Sequence, residues 1–214
     1  MSRRPVPARI IRVIRMGPVS VRVLHWLERP LADLFHAQVR MGGPAQDRIS
    51  ALFEPPPPAP VEAGDAGEQG GLLAAPPAPE PPPIPDAMRA DEALDVLVTA
   101  GTPGEWHLGV ASFDLLAAPG EPVFGRATVD GCCTVVSTRR LDPVLLGRPP
   151  NPERFRRRLV AEAVHELGHV AGLGHCRDIG CVMFPSETLE DTDRKGTAPC
   201  FRCAAILHVR LGRP

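Results

Sequence analysis

The chain of 214 residues contains no tyrosine and a single lysine, Lys195, and its only large aromatics are seven phenylalanines and two tryptophans. Without a phenol, no tyrosyl hydroxyl can stabilise a developing oxyanion, so any such role falls to backbone N–H groups, arginines or a metal. The net charge of −1 gives neither sign a surplus, which excludes nucleic acid captured by bulk electrostatics. No apolar run approaches the length of a bilayer span, so no membrane partner is expected. At the N-terminus, MSRRPVPARIIRVIRMG has its apolar residues interrupted by Arg12 and Arg15. No secretory signal is read there, and a cytoplasmic location is the expectation. The basic run Arg156, Arg157 and Arg158 reads as a solvated helix face.

Proline, by contrast, is abundant, and twelve of the 27 prolines fall in residues 54–86. That segment carries too little apolar surface to offset its ordering entropy, so it is expected to be a disordered insertion, with a PxxP-type partner site as its one candidate role. Before it, ARIIRVIRM reads as a strand, VSVRVLHWLERPLADLFHA as a helix interrupted or kinked at Pro30, and AQVRM as a second strand. After it, DAMRADEALDVLVTA reads as a helix capped by Asp86. Three strand candidates follow, EWHLGVAS, EPVFGRATVD and CCTVVSTRRL, with Gly131 turning the last two into a hairpin. NPERFRRRLVAEAVHELGHVAGL is a long helix opened by Asn151 and Pro152, and CFRCAAILHVRL is a final one. Too few elements precede the insertion to fold alone. The expectation is one α/β domain over residues 1–214, interrupted at about 54–86.

The chemistry concentrates in HELGHVAGLGHCRDIGCVM, residues 165–183. His165 and His169 lie four apart on a predicted helix, which stacks both imidazoles on one face. Two neutral ring nitrogens can then meet one Zn²⁺ at about 2.0–2.1 Å. Glu166 is turned by about 100° from His165, too far to be a third ligand but well placed to hold water and take its proton. Gly172 supplies a helix stop, and a sharp turn there can bring His175 to the same ion, leaving a fourth position open. His25, His36, His107 and His208 have no such company and read as structural histidines.

In a reducing compartment, cysteines are ligands or buried thiols more readily than disulfides. Cys176, Cys181, Cys200 and Cys203 form C-x4-C and C-x2-C pairs, the grip of a closed tetrahedral Zn(Cys)4 site. A redox pair at Cys200 and Cys203, or two disulfides, remain as alternatives with less support. Cys132 and Cys133 fall in a predicted strand, pointing to opposite faces as buried or idle thiols. His175 and Cys176 are adjacent, so the last ligand of one metal is bonded to the first ligand of another.

These residues resemble the archaemetzincins, a branch of the metzincin zinc peptidases with the pattern HExxHxxGxxHC-x4-C-x-M followed by CxxC. Between Met183 and Cys200 the chain has one residue fewer than that pattern. The strong resemblance covers residues 165–203, and a weaker one reaches back through VFGRATVDGCCTVVSTRRL. The resemblance implies a compact α/β fold, a twisted mixed sheet packed on an active-site helix, ending in a zinc-bound cysteine segment. It implies catalytic zinc on His165, His169 and His175, Glu166 as general base and acid, and Met183 as the Met-turn residue. It also implies a second, structural zinc on Cys176, Cys181, Cys200 and Cys203. Substrate is expected along an edge strand, for which the hairpin at 121–141 is the candidate.

The expected function is therefore a zinc metallopeptidase acting on short peptides, with neither aminopeptidase nor endopeptidase action singled out. Arg139 or Arg140 is a candidate oxyanion partner, and Asp114 a loose candidate anchor for a free amine. The rival reading is a non-catalytic, zinc-stabilised adaptor with a vestigial site, against which the presence of Glu166 argues.

Overall fold

The computed structural model describes residues 10–53, 87–118, 120–129 and 131–212. The proline-rich segment and the proposed cap Asp86 lie outside the described residues. Apolar Ile10–Met16 forms β1, and Val21–Phe35 forms α1, burying Leu24, Leu27, Leu31 and Phe35 along one stripe. Pro30 sits inside α1 without ending it. Gln38–Met41 is β2, as expected, and Pro44–Phe53 is a further helix, α2. Its only buried residues are Ala45, Ile49 and Phe53, an apolar stripe too thin to stand out in sequence.

Beyond the proline-rich segment, Ala87–Arg89 is β3 and the helix α3 starts at Ala90, running to Ala100. The helix read from Asp86 is therefore shorter at its start, because residues 87–89 pair in parallel with β5, Asp114–Ala118. Trp106–Ala111 is β4. The single strand read in EPVFGRATVD divides into β6, Glu121–Val123, and β7, Gly125–Ala127, which join different sheets. Cys133–Ser137 is β8, and its antiparallel pairing with β7 makes the hairpin that turns at Gly131.

The main sheet has the order β2-β1-β4-β8-β7, and a small sheet has the order β3-β5-β6. The first four strands of the main sheet run parallel, and β7 closes its edge antiparallel. Every residue of β4 and β8 is buried, as a parallel strand covered on both faces requires. One face packs α1 and the long helix α4, Pro152–Val170, through residues such as Leu27, Leu31, Leu159 and Leu167. The opposite face packs α2 and α3 through Ile49, Leu94, Leu97 and Phe113.

Asn151 caps α4 by accepting from Arg154 N at 2.9 Å, with Pro152 at the first helical position. Beyond α4 come α5, Leu189–Arg194, capped by a reciprocal Thr188–Asp191 box, and α6, Phe201–Arg210. One sequence expectation fails here: Arg158 is not on a solvated face. Its side chain is 1% exposed and donates to both Asp193 carboxylate oxygens, at 2.7 and 2.6 Å, and to Leu141 O. Arg156 remains exposed.

A second buried pair ties the segment after α4 back onto it. Lys195, the lone lysine, is fully buried; it donates to Glu162 Oε2 and to Phe184 O and pairs with Glu162 Oε1 at 3.1 Å. Thr192 Oγ1 donates to Glu162 Oε1 at 2.8 Å. Removing one member of such a pair strands a charge, whereas removing both can be nearly neutral. Lys195→Met is therefore expected to lower unfolding free energy by about 3–5 kcal/mol, and Lys195→Met with Glu162→Leu to recover most of that loss. Denaturant titration checks this; a single variant as stable as wild type would contradict it.

Candidate functional site

The second half of α4 is buried over Leu159–Gly168, and its exit from the core is where the chemistry gathers. Gly172 takes φ of +83°, the left-handed region that side chains avoid. Leu173 N–H then reaches Gly168 O, and Gly172 N–H reaches His169 O, each at 2.9 Å. This pair of bonds is a Schellman stop. It reverses the chain so that His175 faces the helix: its ring centroid lies 5.3 Å from that of His165 and 4.9 Å from that of His169.

The three histidines offer ligand nitrogens that all lie within 4.8 Å of one another. Nε2 of His165 and Nε2 of His169 are 3.1 Å apart, close to the separation of about 3.3 Å that two nitrogens 2.0–2.1 Å from a tetrahedral zinc require. Their opposite ring nitrogens are already committed. His165 Nδ1 meets Val182 O and His169 Nδ1 meets Leu173 O, both at 2.8 Å. A carbonyl only accepts, so each Nδ1 carries the proton and each Nε2 presents a lone pair. Burial pushes the His165 imidazole down to about 3 and lowers that of His169, which keeps both neutral as ligands must be. The donor set fits zinc.

Glu166 points elsewhere, as its place on the helix dictates. It is 7% exposed and lies against the edge strand: a Cβ on Gly125 would sit 2.6 Å from Glu166 Cγ and 2.8 Å from Oε1. Only glycine at that position of β7 admits the carboxylate. Burial, with the nearby Glu162 charge, pushes Glu166 up to about 8.

Met183 is fully buried, and its Sδ occupies the notch left by a second glycine, Gly168, where a Cβ would lie 2.5 Å away. Gly168 stands between the two helical histidines, so the thioether packs on the histidine-bearing stretch of α4. Met183 O accepts from Cys176 N at 2.8 Å. Cys176, Cys181, Cys200 and Cys203 are free thiols, with sulfurs all within 4.8 Å of one another. Cys176 and Cys200 sulfurs are 3.8 Å apart, matching the edge of about 3.8 Å for a tetrahedron with 2.3 Å Zn–S bonds. A hydrogen bond from the Cys203 backbone leads the influences that lower Cys200 to about 7, toward the thiolate a metal needs.

Other sequence candidates fall outside these groups. Arg140 donates to both carboxylate oxygens of Asp114, at 3.1 and 3.2 Å, so the candidate oxyanion partner and the candidate amine anchor occupy each other. Arg139 N donates to Ser137 Oγ. His107 is buried in β4, His25 meets Glu28 on the surface, and His36 and His208 lie near each other; none joins a metal group. Sequence reasoning missed Gly125 and Gly168, although FGRA and HELGH both contain them. It also missed the carbonyls of Val182 and Leu173, which no side-chain pattern can signal. A cleft of about 580 Å³ opens beside β6, between Gly120–Phe124 and Ser186–Leu189.

Fold and centre together form a mixed sheet packed on a helix whose end gathers three imidazoles, with a group of four thiols beside them. The model of Peptidase family M54 matches residues 88–209, more than half of the chain, and the chain belongs to that family. It is similar to the archaemetzincin of Methanopyrus kandleri, 44% identical over 122 residues, 56% of this chain and 65% of the relative. The archaemetzincin of Pyrococcus furiosus is 40% identical over 106 residues, 50% of this chain and 55% of the relative. The chain thus spans between about half and two thirds of the length of these curated relatives. The crystal structure of the Methanopyrus kandleri archaemetzincin superposes with a TM-score of 0.67 and 26% identity, covering 97% of each chain. That of Archaeoglobus fulgidus, complexed with malonate, gives 0.62 and 26%, covering 92% of this chain and 99% of the other. Sequence likeness is concentrated in the C-terminal part, whereas likeness of fold extends over nearly the whole chain.

The turn at Gly172 carries this geometry. Gly172→Ala forces a Cβ into the left-handed region and is expected to lose about 1–2 kcal/mol of stability. Metal retention by the histidine group should fall with it. Denaturant titration with metal analysis checks both, and an unaltered midpoint would show that the turn is not constrained.

Proposed function

We propose that this chain is a zinc-dependent peptidase that hydrolyses peptide bonds, with short peptides as its substrates. His165, His169 and His175 hold one zinc, and Cys176, Cys181, Cys200 and Cys203 hold a second, structural one. The protein is one domain into which residues 54–86 are inserted, because α2 before them and α3 after them share one core.

The observation that carries the reading is the position of Glu166 between the zinc helix and a glycine of the sheet edge. Zinc bound there supplies Lewis acidity, which polarises a scissile carbonyl and acidifies water. Glu166 takes the proton of the attacking water and delivers it to the leaving nitrogen. Among the described residues β7 pairs with β8 on one side only, so its outer edge can align an extended peptide by backbone hydrogen bonds. The cleft beside β6, which reaches Phe124 next to the start of β7, offers room for a substrate side chain. A purely structural zinc site has no use for a carboxylate held against an open strand, which disfavours the adaptor reading.

The test pairs metal analysis with a peptide library. Wild type is expected to hold two zincs per chain and to cleave; Glu166→Ala should keep both zincs and lose at least about 100-fold in kcat. Zinc-replete wild type that cleaves nothing across a broad library would overturn the peptidase reading. Gly125→Ala gives an independent check, since its Cβ displaces the Glu166 carboxylate. Activity should fall with zinc content and melting temperature near wild type, whereas full activity would remove the role given to the edge glycine.

A further inference from the structure

Cys132 and Cys133 belong to neither metal group. Strand alternation predicts side chains on opposite faces, and that expectation is wrong. Cys132 lies in a bend one residue before β8, and its sulfur is 3.4 Å from that of Cys133. The backbone on which the two sulfurs sit is held on both sides. Thr128 Oγ1 donates to Cys133 O at 2.9 Å and accepts from Cys133 N at 3.1 Å. Gly131 N donates to Thr128 O, and a Cβ on Gly131 would fall 2.1 Å from Thr128 Oγ1, so the turn closes only with glycine. On its other side the peptide joining the cysteines is fixed by His107 N, which donates to Cys132 O at 2.7 Å. Both flanks of that peptide are thus held while the two thiols face each other.

The pair is also asymmetric. Cys132 is exposed, whereas Cys133 is fully buried. An oxidant from solvent meets the first sulfur and not the second.

We propose that Cys132 and Cys133 form a vicinal dithiol that a hydroperoxide oxidises to a disulfide, with Cys132 attacking and Cys133 resolving. The Cys132 thiolate attacks the terminal peroxide oxygen, the O–O bond breaks, and the other oxygen leaves as an alcohol after taking a proton. Cys132 is then a sulfenic acid. The Cys133 sulfur displaces its hydroxyl, which leaves as water with the Cys133 proton, and the S–S bond forms. Two thiols and one hydroperoxide become one disulfide, one alcohol and one water, two electrons passing from sulfur to the peroxide bond. Burial raises the Cys133 thiol, which keeps it protonated and reserves the first step for its neighbour. Adjacent Cα atoms are about 3.8 Å apart, below the range of about 4.4–6.8 Å usual for disulfides. The ring is therefore strained and returns readily to the dithiol.

Trypsin isolates the pair, because Arg126 and Arg139 bound a peptide of residues 127–139 that contains no other cysteine. The zinc-loaded full chain is treated with one equivalent of tert-butyl hydroperoxide, alkylated under denaturing conditions, digested and weighed. The expected peptide is two hydrogens lighter than the dithiol, carries no alkyl group, and becomes doubly alkylated after dithiothreitol. In Cys133→Ala, Cys132 should stop at the sulfenic acid and take up dimedone; in Cys132→Ser, Cys133 should remain alkylatable. A wild-type peptide that keeps both thiols, carries a sulfonic acid, or is linked to a second chain would overturn the proposal. The wild-type mass alone decides it should either variant fold poorly.

Discussion

The end of one helix governs this molecule. Between Gly168 and Leu173 the backbone satisfies its last carbonyls by a left-handed turn at Gly172, and every feature of the centre is measured from that turn. It brings His175 back toward the helix, and it also delivers Leu173 O to His169 Nδ1. A helix that ran on would carry His175 away from its partners and leave His169 free to rotate. The turn thus brings the third imidazole to the other two and fixes the tautomer of His169 in one movement.

The cysteine cage extends the same logic. His175 is bonded to Cys176, whose N–H meets Met183 O, and Val182 presents the carbonyl that fixes His165. Val182 N in turn donates to Ala198 O, two residues before Cys200. The segment that orients the histidines is therefore gripped at both ends by the cysteine pairs. Lys195 and Glu162 hold its far loop against α4 from inside the core. The placing of the three imidazoles comes from a covalently short, hydrogen-bonded circuit and not from the bulk of the sheet.

The parts legible in sequence were those whose signal is local. HELGHVAGLGH writes its helix period, its stop and its ligand spacing within a few residues, and the Asn151–Pro152 start is equally plain. The core strands β1, β4 and β8 were legible as short, apolar-rich stretches, although Arg12 and Arg15 interrupt the first and His107 the second. What escaped depends on contacts between distant positions. Gly125 matters only because Glu166 arrives against it from another element, and Gly168 only because Met183 fills its notch. The small strand β5 is a short apolar run without a clear period, β6 was merged with β7 into one strand, and β3 was absorbed into the helix that follows it. Arg158 read as a surface charge because Asp193, which neutralises it, lies on a helix too short to be noticed. Cys132 and Cys133 misled for the opposite reason: strand alternation was applied one residue too far.

The central claim is that one glycine turn gathers three imidazoles around one ion while four thiolates hold another beside it. Anomalous diffraction at the zinc edge, on crystals of the zinc-loaded protein, tests it most directly. Two separate peaks per chain are predicted, one with the ring nitrogens of His165, His169 and His175 at about 2.0–2.1 Å and one enclosed by four sulfurs at about 2.3 Å. A single peak, or a first peak from which His175 is turned away, would contradict the account.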